Sequence, residues 1–222
     1  CSLKRSLSKK KGVIFIMNFS FTEEQLDLKT ELIDFVRRDI NTPDEIGFTR
    51  EKWLKCAEFG LIGMNISSEY GGLELDYVTS ALLLEALGYA CDDSGFVFAI
   101  TNHLWVCQNV LDKYGNQQQK DKYMPGLVQG KYVGCFAITE SESGSDTYSM
   151  QTTATREGDY YILNGSKMFI SNGPIADIYI VMAKTGEKNG KSKFSAFLVE
   201  RNFEGFKVGK QIDKMGLTSC PM

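Results

Sequence analysis

The sequence predicts an α+β fold with its helices first and its strands second. Three observations carry this. Capping patterns ahead of 3.6-period apolar stripes recur from residue 20 to about residue 130. Runs rich in β-branched and aromatic residues gather after Tyr132, and Asn-Gly pairs punctuate that second part.

The helical elements follow in order. Thr22 with Gln25 has capping-box spacing, and Leu28, Leu32, Phe35 and Val36 then share one face. A shorter helix carries Trp53 and Ala57 and stops at Gly60. Asp76 is a good N-cap for a helix through Ala90. Further helices are expected over Ser94–Ile100 and His103–Tyr114, closed by Gly115. Asn116 with Gln119 caps the last one, which runs to Val128.

The strand elements begin with the run into Phe136, Ala137 and Ile138. Gln151–Thr155 and Tyr160–Leu163 form a hairpin through Glu157-Gly158-Asp159. A β run leads from Leu163 toward Asn172-Gly173. Asp177–Ala183 and Lys193–Val199 supply two more strands, with Asn189-Gly190 as a tight turn. The α and β parts are segregated, and no Rossmann or Walker glycine pattern is present.

Composition narrows the function classes. A net charge of −3 and a pI near 5.4 give no footprint for nucleic acid. No apolar run reaches the roughly 18–20 residues that span a bilayer as a helix. The six cysteines lie scattered without a Cys-x-x-Cys pair, which fits free thiols in a reducing compartment. His103 is the only histidine, so histidine-dependent triads and multi-histidine metal sites are excluded within this chain. It is read as a structural core residue. No metal site is expected.

Residues 1–16 hold five basic and no acidic residues, and Met17 reads like a fresh start. Two readings stand for this leader: the remnant of a targeting segment, or residues appended ahead of a start. Neither contributes to the fold.

The chemistry concentrates after Tyr132. A strand ending at Thr139 and running into Ser143-Gly144-Ser145 is expected to expose consecutive backbone N–H groups, a nest suited to a pyrophosphate. Glu140, Glu142 and Asp146 surround this loop. To leave room for an anion they must point away, pair with cations or cap local amides. Read alone, the loop is also compatible with an ordinary polar surface turn.

Thr139-Glu140, Gly144-Ser145-Asp146 and the whole of Asn164–Gly173 resemble the flavin-binding region of the acyl-CoA dehydrogenase family. Ser141 stands where that family has proline. The resemblance runs over Phe19–Met222, including Leu61-Ile62-Gly63, Glu69-Tyr70-Gly71-Gly72-Leu73 and Lys214-Met215-Gly216-Leu217.

Residues 1–18 are read as a basic leader outside the resemblance, which implies an N-terminal helical domain over 19–131 and an antiparallel β-barrel domain over 132–222. A C-terminal helical bundle is expected beyond. It implies FAD as cofactor and α,β-dehydrogenation of an acyl-CoA thioester to the trans-2-enoyl product, with electrons passing to an electron-transfer flavoprotein. Phe136, Ile138 and Thr139 are expected along the isoalloxazine, and Gly144 and Ser145 at the pyrophosphate, with Ser145 also touching substrate. Phe169 is expected beside the ring system and the Ser171 hydroxyl toward flavin N5. The catalytic base is expected beyond Met222, so none is assigned here, and these residues alone are expected to be inert.

Family members form tetramers or dimers and work in bacterial cytoplasm or the mitochondrial matrix. Alternatives within the resemblance are an acyl-CoA oxidase, a flavin monooxygenase-like relative and a dehydrogenase of acyl-carrier-protein thioesters. A partner-binding remnant without activity is the alternative from another class.

Overall fold

The computed structural model describes residues 20–42 and 47–222. The expected leader over residues 1–18 lies outside the described residues.

Helix α1 (Glu23–Phe35) starts on Thr22. The Gln25 amide donates to the Thr22 hydroxyl at 3.2 Å, and the Thr22 amide donates to the Gln25 side chain at 2.9 Å. Two N–H groups that a helix start leaves without partners are thereby satisfied. The stripe predicted from the 3.6 period buries Leu32, Phe35 and Val36, while a π-helical turn at Val36–Ile40 extends the helix.

Helix α2 (Arg50–Glu58) buries Trp53 completely, and its indole N–H donates to the Gly130 carbonyl at 3.2 Å. Helix α3 (Tyr77–Ala90) is capped by Asp76, which accepts from the Val78 and Thr79 amides. The two helices expected over Ser94–Ile100 and His103–Tyr114 are continuous. Helix α4 (Ser94–Asn102) passes through a π-helical stretch at His103–Gln108 into α5 (Asn109–Tyr114). Helix α6 (Gln117–Val128) carries the predicted Asn116/Gln119 capping box.

The strands are β1 (Gly134–Ala137), β2 (Thr153–Glu157), β3 (Tyr160–Asn164), β4 (Ile178–Lys188) and β5 (Lys191–Glu200). Segregated helices and strands match the expectation, but the antiparallel barrel needs correction. Among the described residues the five strands form a mixed sheet that does not close. β4 pairs antiparallel with β5 and parallel with both β1 and β2, while β2 and β3 form the antiparallel hairpin.

The reason lies in the connections. A tight turn forces antiparallel pairing, whereas a long excursion lets a strand return in the same direction. β4 and β5 are joined by Asn189-Gly190, whose φ values of 54° and 71° suit a two-residue hairpin turn. The chain between β1 and β4 carries the whole β2–β3 hairpin. The β run expected after Leu163 ends with β3 at Asn164, and residues 165–171 form an irregular segment.

His103 bolts the helices to the sheet. Its Nδ1 accepts from the Gly134 amide at 2.9 Å, and its Nε2 lies 3.2 Å from the Leu127 carbonyl. This fixes a neutral ring protonated on Nε2, because a carbonyl can only accept. Burial pushes the His103 pKa down to about 3. The Gln108 side-chain amide lies 2.9 Å from the same Nε2. Gly134 must be glycine here, since a Cβ would sit 2.2 Å from Cys107 Sγ.

Candidate functional site

Two segments build the site: the stretch leaving β1 (residues 138–150) and the irregular stretch leaving β3 (residues 165–173). They are tied by backbone. The Met168 amide donates to the Thr139 carbonyl at 2.8 Å. Gly165, at φ 152°, brings the same stretch against the entry to β2, where a Cβ would lie 2.7 Å from the Thr152 Cα.

A buried ion pair reinforces this join. Lys167 Nζ lies 2.8 Å from Glu140 Oε1 and 3.0 Å from the Ile138 carbonyl. Glu140 also accepts from the Gln151 amide at 2.6 Å and the Thr152 amide at 3.0 Å. Burial alone would raise its pKa. The Lys167 ammonium and the two amides outweigh that and hold it down at about 2.

Two of the three acidic side chains around the loop are thereby accounted for. Glu140 points inward to Lys167. Asp146 caps the Tyr148 amide at 3.2 Å. Glu142 is exposed, and its carbonyl accepts from the Ser149 hydroxyl at 3.4 Å. Glu140 and Asp146 are thus engaged within the protein.

The expected nest is smaller than the sequence suggested. Glu140 and Ser143 form a reciprocal bridge in which the Ser143 amide donates to the Glu140 carbonyl at 3.3 Å. That amide is spent. The amides of Gly144 and Ser145 donate to no protein acceptor among the described residues, and both residues are exposed. A Cβ at Gly144 would meet nothing within 4 Å. Packing does not demand glycine there, so its bare backbone fits close approach by a ligand.

The remaining candidates fall into place unevenly. Phe136 is half-buried against the core beneath β1, where Ile178 and Ile180 also pack. Ile138 and Thr139 are half-buried at the strand's end. Phe169 is 55% exposed with φ 56°, a left-handed conformation costly for an aromatic residue. Such strain in an exposed aromatic makes Phe169 a candidate for a functional surface. Ser171 is half-buried in the turn that follows. Its neighbour Asn172 is fully buried at φ 64°, donates to the Ala99 carbonyl at 2.8 Å and accepts from the Cys220 thiol at 3.3 Å.

Two residues that matter here were not singled out from the sequence. Lys167 is the one charged residue between Asp159 and Asp177, and that isolation was the available signal. Asn172 read only as a turn former. The candidate residues line neither of two cavities elsewhere. One, of about 500 Å³, lies between the start of α4 and Leu217–Ser219; the other, of about 540 Å³, lies between α6 and β5.

Among the described residues no group of three or more His, Cys, Asp or Glu could hold a metal. The five described cysteines are free and buried. No described helix is long and apolar enough to cross a membrane.

The free amide pair, the unfilled space over Gly144 and the strained exposed ring of Phe169 fit a ligand with both a phosphate and a flat ring system. Comparison with known proteins points the same way. The family model described as acyl-CoA dehydrogenase, N-terminal domain, matches residues 22–131, and that for the middle domain matches residues 135–222. An L-prolyl-[peptidyl-carrier protein] dehydrogenase from a Serratia species is 39% identical over 210 residues, covering 92% of this chain and 54% of that protein. A short-chain specific acyl-CoA dehydrogenase from Clostridium acetobutylicum is 32% identical over 206 residues, covering 90% and 54%. The solved FAD complex of PigA superposes with a TM-score of 0.85 at 38% identity, covering 92% of this chain and 55% of that one. The chain spans about half the length of the curated relatives it matches.

Proposed function

The chain belongs to the acyl-CoA dehydrogenase family, and from that premise we propose that it serves FAD-dependent α,β-dehydrogenation of an acyl thioester. The observation that carries this reading is the join of the two segments. It sets the free amides of Gly144 and Ser145 and the ring of Phe169 on two stretches tied by the Met168–Thr139 bond.

In this reading the Gly144 and Ser145 amides receive the pyrophosphate, as hydrogen-bond donors to an anion in a nest. Phe136, Ile138 and Thr139 border the ring system, Phe169 packs beside it, and the Ser171 hydroxyl donates toward N5. Bound FAD supplies the hydride-accepting chemistry. The protein's part is to orient the rings and the thioester and to exclude water. Ser145 also meets the acyl substrate. The general base is not assigned to any residue of this chain, and electron-transfer flavoprotein is the proposed electron acceptor.

Two thioester carriers are in question. The acyl-CoA reading follows the family. A carrier-protein thioester stands beside it on the 39% identity to the prolyl-carrier-protein dehydrogenase, an identity that the acyl-CoA dehydrogenase of Bacillus subtilis equals. Mass spectrometry of the products from matched CoA and carrier-protein thioesters decides between them. Flavin content of the purified full-length protein tests the cofactor itself: a colourless protein that takes up no FAD ends the proposal.

A further inference from the structure

We propose that the buried pair Glu140–Lys167 is a positioning clamp that sets the flavin-facing segments in register before any cofactor arrives. This rests on the flavin reading above. The side chains of Lys167 and Glu140 are 8% and 7% exposed, so neither is presented to a ligand; both act through what they hold.

The network is closed and directional. Lys167 donates to Glu140 Oε1 at 2.8 Å and to the Ile138 carbonyl at 3.0 Å, with Met150 Sδ at 3.9 Å. Glu140 accepts from the amides of Gln151 and Thr152 as well. One knot thus binds three separate stretches: the end of β1, the entry to β2 and the segment leaving β3. The first and third carry Ile138 and Thr139 on one side and Phe169 on the other. The Gly144–Ser145 loop is the excursion between Glu140 and Gln151, so the clamp also closes its base.

Stability alone is a weak reason for such a pair. Two charges removed from water gain little over apolar residues of similar volume, whereas losing one partner leaves an uncompensated buried charge. What a directional network adds is uniqueness of arrangement. Restoring attraction by exchanging the two charges does not restore the network. A lysine at 140 would face the Gln151 and Thr152 amides, which also donate.

The test uses the full-length protein with Glu140→Gln, Lys167→Met, Lys167→Arg and the charge exchange Glu140→Lys/Lys167→Glu. Readouts are circular dichroism and melting of the apoprotein, the FAD dissociation constant from flavin fluorescence, and the visible spectrum of bound flavin. Folded Glu140→Gln and Lys167→Met are expected to bind FAD at least about tenfold more weakly, with an altered flavin spectrum. Lys167→Arg, which keeps a cation and donors, is expected to recover most of the affinity; the charge exchange is expected not to. Wild-type affinity and spectrum in the folded single variants overturn the clamp. Should both fail to fold, the double variant Glu140→Gln/Lys167→Met, which buries no unpaired charge, is read by the same criterion. A wild-type protein that binds no FAD defeats the flavin reading instead, which separates the two failures.

Discussion

The Asn172 side-chain amide donates to the Ala99 carbonyl at 2.8 Å, pinning the turn that carries Ser171 onto helix α4. Because Asn172 is fully buried and left-handed, two effects are superposed in it: a hydrogen bond and a backbone preference. Asn172→Ala is expected to cost about 2–3 kcal/mol, from the lost bond and from the loss of asparagine's tolerance of positive φ. Asn172→Gly keeps the backbone freedom and is expected to cost about 1 kcal/mol less. Urea denaturation of the three proteins measures the split, and equal losses in both variants would assign everything to the hydrogen bond.

Acid weakens the junction at His103. Its folded pKa is pushed down to about 3 from 6.5, so the unfolded chain takes up a proton that the buried ring refuses. The stability this represents is present above pH 6.5 and is lost as pH falls toward 3. Between pH 7 and pH 5 the loss is expected to be about 2 kcal/mol. Glu140, held down at about 2 from 4.5, loses its contribution only below pH 4.5 and so leaves that window undisturbed. His103→Gln is expected to be less stable at pH 7 and to show a flatter profile from pH 7 to pH 5. An unchanged slope in the variant rules His103 out as its origin.

Gly144 separates folding from binding. Its missing side chain leaves space that no protein atom enters within 4 Å. Gly144→Val is therefore expected to leave apoprotein stability within about 0.5 kcal/mol while weakening FAD binding through a steric block over the Gly144 and Ser145 amides. Isothermal titration with FAD, alongside melting of the apoprotein, tests both halves. A destabilised apoprotein whose FAD affinity is unchanged would place the requirement for glycine in packing.

Phe169 should show a trade between stability and function. Asparagine tolerates the left-handed region far better than an aromatic ring. Phe169→Asn is expected to raise apoprotein stability by about 0.5–1 kcal/mol, with weaker flavin binding because the stacking surface is gone. Thermal melting and flavin fluorescence together check this.

Ser171→Ala addresses the hydroxyl assigned to N5. Flavin content is expected to stay near wild type, while anaerobic reduction by a thioester substrate slows by on the order of a hundredfold. Stopped-flow absorbance of the bound flavin gives the rate. An unchanged rate removes the role.

Much of this was readable from local residues. Thr22, Asp76 and Asn116 cap their helices as their spacing implied, since a cap concerns only the next three residues. The hairpin at Gly158 and the turn at Asn189-Gly190 follow from the same short reach. The two π-helical stretches were not readable, and neither was the irregular path after β3. Ser166–Ile170 carries β-forming residues, yet it is held by the Met168–Thr139 bond and by Lys167 rather than by a ladder.

What the amino-acid order determined by itself was therefore local: helix starts, turn positions, the division into helical and strand halves, and the motifs that name a family. The tertiary structure alone decided that β1 runs parallel to β4, that the Ser143 amide is spent on Glu140, and that Lys167 reaches back 27 positions to Glu140. Caps and turns are governed by neighbours within a few residues, where sterics and a single hydrogen bond suffice. Pairings across tens of residues depend on which surfaces pack together and which buried charges find partners, and that is settled only when the whole chain has closed.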